Sequence, residues 1–312
     1  MERRGQFNFV WLFAILAGGA ILMLAIWGAL QTGDTLRYGE DTKAGKSISI
    51  LTNPLQSGFG ESSYGVISFQ NEVRIDNICS ASGFGNDAIA VSTKSNVGEE
   101  WNLAGGTIIV QDKYIFSEER IQGEDFYVIS KAFEFPYKIS DMIFLFSDNY
   151  CFTNAPDFIA DEVLGLRIEA INIVNCSDDD VRVCFGSGVD CDMYVYGSCD
   201  SGCDSVYDVG VVSKNDGSYY YVGDLLYAAI FSNKYNYDCN VARLLYRTAA
   251  IGEIFENKVD LMNARNCNTN LLGKLIYWRG MLQNSTSEDL IDLVNYADNL
   301  GKANNAEDCG LW

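Results

Sequence analysis

The chain has 312 residues and a formal net charge of −20, from 42 acidic and 22 basic side chains, and it contains no histidine. Such a charge argues against a nucleic-acid partner, because binding a polyanion needs cations that displace counterions from phosphate. The missing histidine removes Ser-His-Asp and Cys-His nucleophiles, HExxH metalloprotease chemistry and His-ligated zinc.

Residues 1–6 form a short basic leader, and residues 7–30 form an apolar run, FNFVWLFAILAGGAILMLAIWGAL. A helix over that run is about 36 Å long, enough for a hydrocarbon core of about 30 Å. Trp11 and Trp27 lie towards its ends, where interfacial aromatics sit. The run reads as a retained transmembrane helix, since a cleaved signal has an apolar region of only ~7–15 residues and small residues at its cut. Arg3 and Arg4 hold the leader in the cytoplasm and place the rest of the chain outside the cell. The pairs Ala14/Gly18 and Ala25/Ala29 stand four apart, which permits close helix–helix approach and self-association, although small residues are common in any membrane helix. Ten cysteines, an even number, suit an oxidising compartment. Two sequons, Asn175-Cys176-Ser177 and Asn284-Ser285-Thr286, make Asn175 and Asn284 glycosylation candidates.

Residues 31–62 read as a juxtamembrane connector, with a helix ending near Pro54. Residues 63–235 read as a β-rich extracytoplasmic domain. SYGVISF, EVRIDNICS, DAIAVSTKS, GGTIIVQDKYIFS and EDFYVISKAFEF are rich in Val, Ile, Tyr and Phe and are separated by Gly, Asn and Asp. That spacing predicts an antiparallel, sandwich-like sheet. Pro156 opens a short helix, DFIADEVLGLR, and IEAINIV reads as a strand. The region 176–208 holds five cysteines. VRVCFGSGVDCDMYVYG reads as a hairpin across which Cys184 and Cys191 pair, and CDSGC as a small loop closed by Cys199 and Cys203; neither pairing follows from sequence alone. No CxxC favours a thiolate metal site. The aspartates at 178, 179, 180, 190, 192, 200, 204 and 208 supply oxygens of the kind calcium needs, but no spacing matches an EF-hand. No cofactor is assigned, and calcium is the one candidate ion. SYYYVG reads as a half-buried strand leading into the apolar DLLYAAIFSN.

Residues 236–312 read as a C-terminal three-helix segment. Asp238 is the expected N-cap of the first helix, with Val241, Leu244, Leu245, Ile251, Phe255 and Met262 on its core face. Leu271, Leu272, Leu275, Ile276 and Leu282 serve the second helix. The third starts at Ser285 with Glu288 three residues on, a capping-box pattern. The first helix separates Cys239 from Cys267 by about 38 Å, so those two cannot bond. Three antiparallel helices bring Cys309 back towards Cys267, which predicts a Cys267–Cys309 disulfide and leaves Cys239 to pair with the earlier domain. The whole is an α+β chain.

Met1-Glu2-Arg3-Arg4-Gly5-Gln6, followed by an apolar run, resembles the archaeal class III signal of type IV pilin-like proteins. The resemblance implies processing between Gly5 and Gln6 and packing of the apolar helix with its neighbours. Many pilins carry an acid at the fifth mature position, where this chain has Val10. The remainder, with GEEWNL, FEFPYK, YDCNVARLLYR and CGLW, resembles single-span surface proteins of archaea, which implies a location and no activity. The combined expectation is a non-catalytic structural or interaction protein of the cell surface, pilin-like or part of the envelope. Its partners are the lipid bilayer, other envelope proteins and its own copies. The alternatives are an anchored ectodomain that binds a ligand or glycan, and an ectoenzyme using paired carboxylates.

Overall fold

The structure is a computed structural model that describes residues 13, 15–27, 62–94, 101, 104–111, 113–173, 175–199 and 205–312. Near the N-terminus the described part of α1 covers residues 15–27. No helix among the described residues is long and apolar enough to cross a membrane. Both ends of the predicted transmembrane helix, the connector at 31–61 and its helix near Pro54 lie outside the described residues.

Among the described residues twelve strands form two six-stranded sheets, and both sheets are mixed, so the expectation of a purely antiparallel domain is corrected. The first sheet has the order β3-β2-β1-β5-β6-β4. Its strands are β1 (Ser62–Ser80), β2 (Asn86–Thr93), β3 (Ile108–Val110), β4 (Tyr114–Phe116), β5 (Arg120–Glu134) and β6 (Lys138–Phe146). All neighbours are antiparallel except the edge pair β4 and β6. SYGVISF and EVRIDNICS are one strand, β1, with a register shift against β5 between Ser68 and Val73. Such a bulge adds twist and bends the sheet.

The second sheet has the order β12-β11-β10-β9-β7-β8. It contains β7 (Tyr150–Thr153), β8 (Ile171–Asn172), β9 (Val181–Phe185), β10 (Met193–Gly197), β11 (Val209–Lys214) and β12 (Gly217–Val222). β7 runs parallel to β8 and β9, and β9 parallel to β10. Helix α2 (Asp157–Leu166), with Pro156 at its N-cap, is the crossover from β7 to β8. IEAINIV contributes only the two residues of β8.

VRVCFGSGVDCDMYVYG is therefore not a hairpin. The chain leaves β9, doubles back and starts β10 in the same direction, with Met193 beside Val183. A parallel return normally takes a dozen residues or more. Here a short loop suffices because Cys184 and Cys191 are joined across it, with Cα atoms 6.0 Å apart. Gly188 lies on that bridge. A Cβ there would stand 2.4 Å from the Cys184 sulfur and 2.6 Å from that of Cys191, so no other residue fits without a shift.

The C-terminal helices are α3 (Leu225–Phe231), α4 (Lys234–Asn263), α5 (Leu272–Leu282) and α6 (Leu290–Asn305). Every residue of α3 is buried. The N-cap of α4 is Asn233, which accepts from the Asn236 N–H, and not Asp238; the helix simply starts earlier, and Asp238 falls inside it. The capping box before α6 uses Thr286 and Asp289, one residue later than Ser285 and Glu288. Val241, Leu244 and Leu245 are buried as core residues of α4, while Ile251, Phe255 and Met262 are half-buried. Ile276 of α5 is exposed, and Trp278 takes the buried place.

One apolar cluster runs through β4, β5, β6, the second sheet and helices α2 to α6. The run MIFLF of β6 explains a second cluster. Met142, Phe144 and Phe146 face the main core, and Ile143 and Leu145 face the smaller core inside the curled first sheet. A strand buried on both faces has to be apolar throughout.

Candidate functional site

Two polar clusters lie inside this apolar frame, and they differ in access to solvent. The first fills the seam of the first sheet, where β2 and β4 approach without pairing. Asp87 of β2 and Arg243 of α4 are both wholly buried, with Nη1 2.6 Å from Oδ2. The Arg243 guanidinium also donates from Nη1 to Asn240 Oδ1 at 2.6 Å, from Nε to the Phe84 carbonyl at 3.0 Å, and from Nη2 to the carbonyls of Gln111 and Lys113 at 3.2 and 3.0 Å. Asp87 accepts in addition from the Ile115 N–H and from Asn240 Nδ2. Asn236 Nδ2 donates to the carbonyls of Asn77 and Ser117, and Asn77 Nδ2 to Ile115 O and Ser117 Oγ. These side chains replace the ladder bonds that β2 and β4 do not make. Burial pushes the Asp87 carboxyl up to about 6, against the opposing pull of Arg243 and its hydrogen bonds. The Arg243 donors and both Asp87 oxygens are partnered and the pair is shut from solvent, while Asn77 Oδ1 at its edge has no hydrogen-bond partner; this is the form of a structural element.

The second cluster is open on one side. Lys131 of β5 is buried, and its Nζ lies 2.6 Å from Glu162 Oε1 on α2 and 2.6 Å from Asp224 Oδ1 at the N-cap of α3. The Tyr227 hydroxyl donates to Glu162 Oε2 at 2.6 Å, and its ring lies 4.8 Å from the Lys131 ammonium. Burial and the Glu162 charge hold the Tyr227 phenol well above its ordinary pKa, so it remains a donor. Asp224 also lines a cleft of about 460 Å³ between the end of β5, the ends of β11 and β12, and α6. Glu134, Asp208 and Asp298 add three carboxylates to that cleft, and Phe133, Phe135 and Val294 give it apolar walls. Asp208 is committed to its own turn, accepting from the Ser205 N–H at 3.1 Å. Carboxylates over an apolar floor suit a cation that carries apolar groups.

A half-buried cation, Lys214, caps α3. Its Nζ donates to the carbonyls of Ile230 and Ser232 at 2.8 and 2.6 Å, and burial lowers it to about 8. These bonds satisfy helix-end carbonyls, a structural role.

The residues singled out from the sequence fall elsewhere. Cys267 is joined to Cys309, with Cα atoms 5.9 Å apart, and Cys239 to Cys79 of β1, at 6.1 Å. Cys151 is joined to Cys176, at 5.5 Å. Cys199 is disulfide-bonded, and Cys203 lies outside the described residues. Disulfides in this number belong to an oxidising, extracellular compartment. Asn175 and Asn284 are both exposed, and Asn175 has a positive φ of 66°. Gly18 and Ala25 are exposed on α1, while Gly5, Gln6, Ala14 and Ala29 lie outside the described residues. Among the described residues no three His, Cys, Asp or Glu side chains converge as a metal site, and Asp200 and Asp204 lie outside them. Lys131, Glu162, Asp224 and the Arg243 network carry no sequence motif. The one readable trace is the spacing of Asn236, Asn240 and Arg243, which puts a polar stripe on a buried helix.

Comparison with protein families, with curated proteins and with solved structures finds no match.

Proposed function

We propose that this chain is a membrane-anchored surface protein with a structural or interaction role, its disulfide-bonded domain outside the cell. One observation carries the reading. Along the described part of α1, Leu16, Ile21, Leu22, Met23, Leu24 and Trp27 are all more than 60% exposed. A helix uncovered in that way is unfavourable in water at about 25 cal/mol per Å² of apolar area and favourable in lipid. The uncharged run from Gly5 to Gly33 supplies the length. The disulfides support the extracellular side, and Arg3 and Arg4 support the orientation. A pilin-like route belongs to the same proposal: removal of the leader after Gly5 would free the helix to pack with copies of itself through the Ala14/Gly18 stripe.

The test is protease treatment of intact cells, followed by N-terminal sequencing of the protein in the membrane fraction. Digestion of everything beyond the apolar run is the expected result. Full protection behind an intact membrane, or release of the chain by alkaline carbonate, would refute the anchor. A mature chain beginning at Gln6 supports the filament route, and a chain retaining Arg3 and Arg4 excludes it. A second reading, an ectodomain that binds a basic ligand, is favoured by the acidic cleft beside Lys131.

A further inference from the structure

We infer that Lys131 and Asp224 condense into an internal isopeptide bond, with Glu162 as the catalytic carboxylate. The amine lies 2.6 Å from both carboxylates, so one primary amine meets two acids in a site where its own side chain is 8% exposed. An ordinary ion pair needs one acid. Asp224 stands at the N-cap of α3 yet makes no side-chain capping bond, and its Oδ1 is on the lysine instead. Tyr227 occupies the second oxygen of Glu162, which leaves Oε1 facing the amine. Phe144 packs against Tyr227, and the tyrosine ring covers the ammonium. The three reacting side chains are thus fixed by β5, α2 and α3 and not by flexible loops.

The step balances without any co-reactant. Glu162 takes a proton from the Lys131 ammonium, and the neutral amine attacks Cγ of Asp224. The Nζ–Cγ bond forms and one Cγ–O bond breaks. Of the three ammonium protons, one stays on the amide nitrogen. The other two leave with the Asp224 oxygen as water, relayed by Glu162, which ends as a carboxylate. Water has a way out, because Asp224 borders the cleft. Amide formation from free acid and amine is unfavourable in water. Two forces oppose that here. Well-oriented intramolecular reactions reach effective molarities of about 10⁵–10⁸ M. The reaction also removes a desolvated cation and anion from a partly buried site.

The bond is read by mass. The full chain is reduced, alkylated and digested, and the peptides carrying Lys131 and Asp224 are sought by tandem mass spectrometry. The expected result is one branched peptide joining them, one water lighter than the two separate peptides together. Recovery of the two peptides unlinked, at their sequence masses, would overturn the inference. Lys131→Arg keeps the charge and lacks the condensing amine, so it should abolish the loss of water. Persistence of that loss in Lys131→Arg would mean dehydration elsewhere and would also overturn it. Glu162→Gln, with its disulfide map unchanged as evidence of folding, should leave the peptides unlinked. A branched peptide in Glu162→Gln would overturn the role of Glu162.

Discussion

The Arg243 seam and the Lys131 cluster use similar chemistry to opposite effect. In the seam, every guanidinium donor has an acceptor, and both charged partners are shut away from water. The pair itself keeps no unpartnered group. At Lys131 the amine is buried, but one of its two acids is 39% exposed and opens on a cleft. The comparison teaches that burial alone does not mark a working site. A saturated buried pair holds a fold together. A buried nucleophile with an excess of acids and a path to solvent has something left to do.

Breaking the seam should have the largest effect. Arg243→Leu strands the Asp87 charge without a partner and should lower unfolding stability by about 3–5 kcal/mol, measured by denaturant titration. Replacing both residues by leucine should recover part of that loss; a double variant no better than the single one would show that the carbonyls left unpaired, not the charge, dominate.

Titration gives the next largest effect. Asp87 has a folded-state pKa of about 6 against 3.8 unfolded, so the folded state holds the proton more tightly. Its contribution is therefore most favourable below the unfolded value and is lost as pH rises from about 4 to about 6. Wild type should lose about 2–3 kcal/mol relative to Asp87→Asn across that window. A difference that is flat with pH would mean that Arg243 keeps the carboxylate ionised throughout.

The smallest effect belongs to the open cleft. Asp298 is exposed on its rim, and Asp298→Asn should change stability by less than about 0.5 kcal/mol. Any change should vanish in high salt, which screens exposed charges but not the seam. A larger, salt-independent change would mean that the cleft is drier than its geometry implies.

The elements were legible where local rules dominate. The Pro156 start of α2 and the 3.6-residue rhythm of α4 and α6 mark those helices and much of their core faces. Strand direction was not legible, because β9 and β10 are separated by a loop of hairpin length and only the Cys184–Cys191 bridge reveals the tight parallel return. Caps were read a few residues late on α4 and one early on α6, since several Asx, Ser and Thr residues compete there and packing selects among them. The candidate site was hidden because it is assembled over distance. Lys131, Glu162 and Asp224 come from three separate elements, and each alone looks like a solvated charge.

The Cys79–Cys239 bridge has a consequence for how such a domain survives outside a cell. It turns most of the two sheets into a closed ring of chain, with Cys151–Cys176 and Cys184–Cys191 as smaller rings inside it. A protease that nicks a turn within the ring opens a loop but releases no fragment, because each cut end remains tethered through sulfur. The same holds between Cys267 and Cys309. A single cut can part the chain into two covalently separate pieces only ahead of Cys79, between Cys239 and Cys267, a stretch made mostly of helix α4, or beyond Cys309. Damage inside the rings would accumulate silently and become visible as separated fragments only on reduction.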